Sequence, residues 1–97
     1  MTRDETLSRL RVVLPDLCAR YGIVRLGLFG SVARNEAGPN SDVDLVAEFA
    51  PGEAPGFRFF DLEDELTRLL GAPVMISGLS GMNSYVRMTV ERDLIYA

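Results

Sequence analysis

The chain contains no histidine and no lysine; all ten of its basic residues are arginine. Without histidine there is no imidazole base and no imidazole metal ligand. Without lysine there is no Schiff-base amine and no phosphate lysine of the Walker type. Cys18 is the single cysteine, so no intrachain disulfide can form, and a cytoplasmic setting is the simplest expectation. No apolar run approaches the roughly 18 residues of a membrane span, and "MTRDETLSRLR" is too polar for a signal peptide. Any chemistry must therefore run on carboxylates, hydroxyls, arginines and backbone amides, with or without a metal. Any metal should be a hard, oxygen-seeking ion such as Mg²⁺.

What is present fits one globular domain over residues 1–97, with 47% hydrophobic and 25% charged residues. Mean hydropathy is +0.12 and the isoelectric point about 4.7. The net charge of −4 argues against general nucleic-acid binding, which uses a basic face, but it permits a single nucleotide held by local groups. No internal repeat or low-complexity tract occurs.

Periodicity divides the chain into elements. Leu7, Leu10, Leu14, Leu17, Cys18 and Tyr21 recur at helical spacing, with a kink or restart expected at Pro15 and a stop at Gly22. "IVRLGLF" reads as a strand with Val24, Leu26 and Leu28 on one face and Arg25, Gly27 and Phe29 on the other. "SVARNE" is a short helical turn with Ser31 near its start, and "AGPNS" is a loop. "DVDLVAEF" is a second strand, its Val43, Leu45, Ala47 and Phe49 opposite Asp42, Asp44, Val46 and Glu48. After "APGEAPG", Phe59, Leu62, Leu66, Leu69 and Leu70 mark an amphipathic helix ended by Gly71. Asp61 and the acids from Glu63 to Glu65 are expected on its solvated side. "PVMIS" is a third strand and "GLSGMN" a turn. A final helix from Asn83 carries Tyr85, Val86, Val90 and Leu94. Strands mixed with helices of these lengths predict an α/β fold with a small mixed sheet.

Chemistry concentrates between Leu28 and Phe49. Asp42 and Asp44, two apart on a strand, leave the same face with Cβ atoms roughly 7 Å apart. At an effective dielectric near 20 their charges repel by roughly 2 kcal/mol, a cost that a divalent cation between them removes. Gly30 at a strand end lets a ligand approach the backbone closely, and the helical turn after it offers unpaired N–H groups to an anion. Ser31 adds a hydroxyl and Arg34 a guanidinium matched to phosphate oxygens. A phosphate-holding turn beside a carboxylate pair is apparatus suited to phosphoryl or nucleotidyl transfer.

The stretch "GSVARNEAGPNSDVDLVAEF" resembles the signature of the nucleotidyltransferase superfamily that includes DNA polymerase beta, and more narrowly that of the minimal nucleotidyltransferases. Gly30, Ser31, Ala33, Arg34, Glu36, Ser41, Asp42, Asp44, Leu45 and Val46 carry the match, and the likeness continues through the following helix to the third strand. The resemblance implies a polymerase-beta-like fold and transfer of NMP, usually AMP from ATP, with release of pyrophosphate. Gly30, Ser31, Arg34 and Ser41 then bind the nucleotide, and Asp42 and Asp44 hold two Mg²⁺ ions. It also implies a helical HEPN-type partner, the transferase acting as antitoxin by modifying a tyrosine of that toxin. A homo-oligomer is left open.

One position departs from the pattern. Met75 stands where the family carries a third carboxylate, and its alternation with Val74 and Ile76 predicts that it shares the open face of the aspartates. A thioether is a poor Mg²⁺ ligand and no base. Glu48 shares a face with Asp44 but lies about two strand repeats away. Two readings follow: an active nucleotidyltransferase, or a catalytically impaired binding or antitoxin module that keeps the pocket. A plain α/β interaction domain, outside this family, leaves the motif unexplained.

Overall fold

The computed structural model describes residues 2–39, 41–53, 56, 58–79 and 82–97. Its elements are α1 (Arg3–Tyr21), β1 (Ile23–Phe29), α2 (Gly30–Ala33), β2 (Val43–Phe49), α3 (Arg58–Leu70), β3 (Val74–Ser77), α4 (Ser84–Asp93) and β4 (Ile95–Tyr96). The strands form one mixed sheet in the order β3-β2-β1-β4. β1 runs antiparallel to β2 and β4, while β2 and β3 are parallel and joined through α3. A parallel pair needs such a crossover because a tight turn can only reverse the chain.

One sheet face carries the main core. Leu10 and Leu17 of α1, and Leu62, Leu66 and Leu70 of α3, pack on Leu26, Leu28, Val43, Leu45 and Ile76. The other face is only partly covered: Val46, Leu79 and Val90 make a smaller cluster, joined by Phe29, Met82 and Leu94. The second face therefore stays open around the start of β2, where Asp42 lies exposed and Asp44 half-buried.

Several elements differ from the sequence expectation. α1 runs unbroken through Pro15. Pro15 and Arg11, whose carbonyl loses its helical donor, are both exposed, so water can take the bond that proline cannot make. The Thr2 hydroxyl caps this helix by accepting from the Glu5 N–H at 3.1 Å, and Gly22 ends it in the left-handed region at φ +71°. Val24 is not a core residue but 57% exposed. Ile23 pairs with Phe49 and Arg25 with Glu48, a bulge that takes Val24 out of the alternation and hands its core place to Ile23.

The last helix stops at Asp93, and Ile95–Tyr96 form a fourth strand on β1. Two residues are too few for a periodicity to register. On α4, Val90 is buried, but Tyr85 and Val86 are exposed rather than packed. Glu63 is not solvated: its carboxylate accepts the Ile76 N–H at 3.1 Å, satisfying a donor of β3, which is an edge strand. Glu65 accepts from Tyr21 Oη at 3.0 Å and pairs with Arg20. The turn and loop readings at Asn40, Ala54, Pro55, Ser80 and Gly81 fall outside the described residues.

Candidate active site

Sheet register builds the site. Asp44 on β2 pairs with Phe29 on β1 and with Met75 on β3, so these three side chains form one row across the open face. The next row is Gly27, Val46 and Ser77. Met75 thus occupies the strand position beside Asp44 and is 55% exposed.

The chain leaves β1 through Gly30, which has φ +78°. A Cβ there would lie within 3.3 Å of Asp44 Cγ and Cβ, and closer still to a carboxylate oxygen. The backbone of the turn is therefore pressed against the Asp44 carboxylate, an approach open only to glycine. α2 begins at Gly30 with Phe29 as its cap and no side-chain capping bond. The amides of its first turn have no intrahelical acceptor. Ser31 lies inside the turn, one residue after its start, and its carbonyl accepts the Glu36 N–H at 2.8 Å.

Arg34 closes the turn. Its Nε donates to Glu36 at 3.0 Å and its Nη1 to Asp93 at 2.6 Å. It lines a recess of about 260 Å³ with Phe29, Gly30, Tyr85, Val90 and Asp93. Ser41 serves the loop before β2: its hydroxyl accepts the Gly38 N–H at 2.9 Å, which leaves its own proton free to be donated. A larger hollow of about 670 Å³ lies at the other end of the sheet, among Val24, Glu48, Phe59, Ser77, Leu79 and Arg87. Its charged groups are already paired, Glu48 with Arg25 and Arg87 with Glu91. The smaller recess is bordered by Gly30, whose backbone abuts Asp44, and by Arg34, and is the one tied to the candidate site.

Burial, and then the neighbouring Asp42 charge, push the Asp44 carboxyl above the usual carboxylate range, while Arg34 pulls it partly back. The folded protein therefore holds the Asp44 proton more tightly than the unfolded chain does. Stability tied to this group is fully present below the unfolded pKa of about 3.9 and is lost as pH rises through the raised folded value. Asp44→Asn should consequently stabilise the protein at pH 7 in the presence of a chelator, and the gain should vanish below about pH 4. Urea unfolding of both proteins at the two pH values measures this.

A group carrying such a penalty fits a divalent cation, and Asp42, just before β2 and near enough for its charge to act on Asp44, is a second hard donor. The structure assigns them no third partner. Among the described residues no cluster of three or more His, Cys, Asp or Glu side chains forms a metal cage. Glu48, the nearest alternative on β2, pairs with Arg25, whose guanidinium also lies 4.5 Å from the Tyr96 ring centroid. Asp42 and Asp44 would hold a divalent ion and supply it with two hard oxygen donors, and Met75 would add no carboxylate. Sequence reasoning missed Asp93 because nothing local ties a residue of α4 to the turn after β1.

The chain is similar to known proteins in sequence and fold. A candidate protein adenylyltransferase of Methanocaldococcus jannaschii is 38% identical, over 95% of this chain and 98% of that one. Protein adenylyltransferase MntA of Thermococcus cleftensis is 36% identical, over 99% and 96%. A solved candidate minimal nucleotidyltransferase superposes with a TM-score of 0.80 at 39% identity, covering 98% of this chain and 95% of its own. A toxin–antitoxin structure with AMP-PNP, 20% identical, shares the fold at a TM-score of 0.67 over 99% of this chain and 72% of its own. Residues 10–97 match the nucleotidyltransferase domain family. The mixed sheet, the glycine turn pressed on the Asp44 carboxylate and this match over most of the sequence establish that the chain belongs to the nucleotidyltransferase domain family.

Proposed function

We propose that the protein transfers AMP from ATP to a hydroxyl of a protein acceptor. The observation that carries this reading is the contact of the Gly30 turn with Asp44, which sets a backbone turn suited to phosphate beside a carboxylate. Relatives of nearly the same length that bear the name protein adenylyltransferase support AMP as the transferred group.

In this reading Gly30 and Ser31 hold the triphosphate by backbone amides and hydroxyl, Arg34 contacts its outer oxygens, and Ser41 donates from the loop side. Asp42 and Asp44 hold Mg²⁺, which when bound neutralises phosphate charge. The acceptor oxygen bonds to the α-phosphorus, the bond to the bridging oxygen of the β-phosphate breaks, and pyrophosphate leaves. The acceptor proton passes to water, because Met75 provides no base. The acceptor we infer is a tyrosine of a HEPN-type toxin, with the chain as its antitoxin, and a cytoplasmic location fits an ATP substrate. No helix among the described residues is long and apolar enough to cross a membrane.

ATP with Mg²⁺ should raise the melting temperature, since a ligand that binds only the folded state stabilises it by about 2.7 kcal/mol at 100 times its dissociation constant. Asp42→Ala with Asp44→Ala should remove the Mg²⁺-dependent part of that shift. Transfer is read with α-labelled ATP, Mg²⁺ or Mn²⁺, and a HEPN-type protein from the same genome. Label on a tyrosine of that protein is expected; its absence with both metals rejects the transfer reading.

A second reading is favoured by one observation, the pairing of Met75 with Asp44. A site one carboxylate short suits a catalytically impaired module that binds nucleotide and acts by binding alone.

A further inference from the structure

Arg34 is held between two unlike carboxylates. Glu36 lies on the same turn and its side chain is 66% exposed, whereas Asp93 is the last residue of α4 and only 15% exposed. An acid at a helix C-terminus faces the negative end of the helix dipole, and a carboxylate withdrawn from water is costly unless paired. Local preference thus argues against aspartate at position 93, and the bond to Arg34 offsets the cost. Local rules are broken in this way mainly where a site demands it.

The geometry also leaves the guanidinium usable. It has five N–H donors, of which Nε and Nη1 spend one each on the two carboxylates. Nη2 donates to no described residue, and the side chain lines the recess that Gly30 borders.

We propose that Asp93 is a positioning residue for the nucleotide: it fixes Arg34 across the recess so that the remaining guanidinium edge meets the terminal phosphates of a nucleoside triphosphate. The inference rests on the nucleotide reading above. An arginine already held in place loses little side-chain freedom on engaging phosphate. Asp93 itself repels phosphate, so its contribution is geometric, and an amide oxygen at the same place serves equally.

Calorimetric titration of ATP with Mg²⁺ tests this on wild type, Arg34→Ala, Asp93→Ala, Asp93→Asn and the double Arg34→Ala/Asp93→Ala, with urea unfolding of each. Arg34→Ala and Asp93→Ala should each weaken binding roughly tenfold, the loss of a charge-assisted contact. Asp93→Asn should stay within about threefold of wild type, and the double variant should bind no more weakly than Arg34→Ala. A merely structural role shows up as lost stability with unchanged affinity, and overturns the proposal. So do losses that multiply in the double variant, or Asp93→Asn as weak as Asp93→Ala. If Asp93→Ala does not fold, Asp93→Ser, too short to reach Arg34, takes its place with the same expectation. Wild type that binds no ATP overturns the nucleotide reading and this inference together; normal binding by both wild type and Asp93→Ala overturns the role of Asp93 alone.

Discussion

Replacing Met75 with aspartate should raise Mg²⁺-dependent pyrophosphate release from ATP by roughly a hundredfold or more, the low end of what a positioned carboxylate base contributes. The register makes the substitution specific. Met75 stands beside Asp44 on a parallel neighbour, and its side chain leaves the same face. At 55% exposure the position accepts a carboxylate without burying an unpaired charge. Ile76 and Val74 keep the core contacts of β3, so the fold tolerates the change. Without metal the new charge adds to the repulsion already felt by Asp44, and Met75→Asp should be less stable than wild type at pH 7 in a chelator. Mg²⁺ should reverse that order. A pyrophosphate-release assay with a parallel urea titration reads both effects. Folded Met75→Asp with no gain in release shows that the third ligand is not what wild type lacks. Fast release by wild type itself rejects the impaired-module reading.

Gly30→Ala should cost about 2–3 kcal/mol of stability and abolish nucleotide binding. Forcing an L-residue into the left-handed region costs roughly 1–2 kcal/mol, and the added methyl collides with Asp44 besides. Gly52 separates the two contributions. It has the same φ of +78°, but a Cβ there meets nothing within 4 Å. Gly52→Ala should therefore lose only the backbone share, about 1–2 kcal/mol, and should leave ATP binding unchanged. Chemical denaturation and ATP titration of the two variants check the difference. Equal losses at both positions mean that the contact between turn and carboxylate has no weight of its own.

Local sequence made much of the site legible. Gly30, Ser31 and the two aspartates lie within one short stretch, and period-2 alternation predicts one face for Asp42 and Asp44, although β2 itself begins at Val43. The same alternation failed at Val24, because one inserted residue inverts the facing of everything before it. It was silent about β4, which is held by pairing to β1 rather than by its own pattern. The acids of α3 looked solvated because they fall on a polar helix stripe, yet Glu63 turns inward to an edge-strand amide that no helical periodicity can announce.

By itself the sequence determined that no imidazole or lysine chemistry is available, that two carboxylates lie two residues apart, and that a glycine turn precedes them. These are properties of composition and of neighbours a few residues apart, and backbone geometry alone enforces them. Tertiary structure decided that Met75 stands next to Asp44, that Gly30 presses on that carboxylate, and that Asp93 reaches Arg34 from 59 residues away. Each of those contacts depends on strand register or on how α4 docks over the sheet, and both are set by packing the whole core at once.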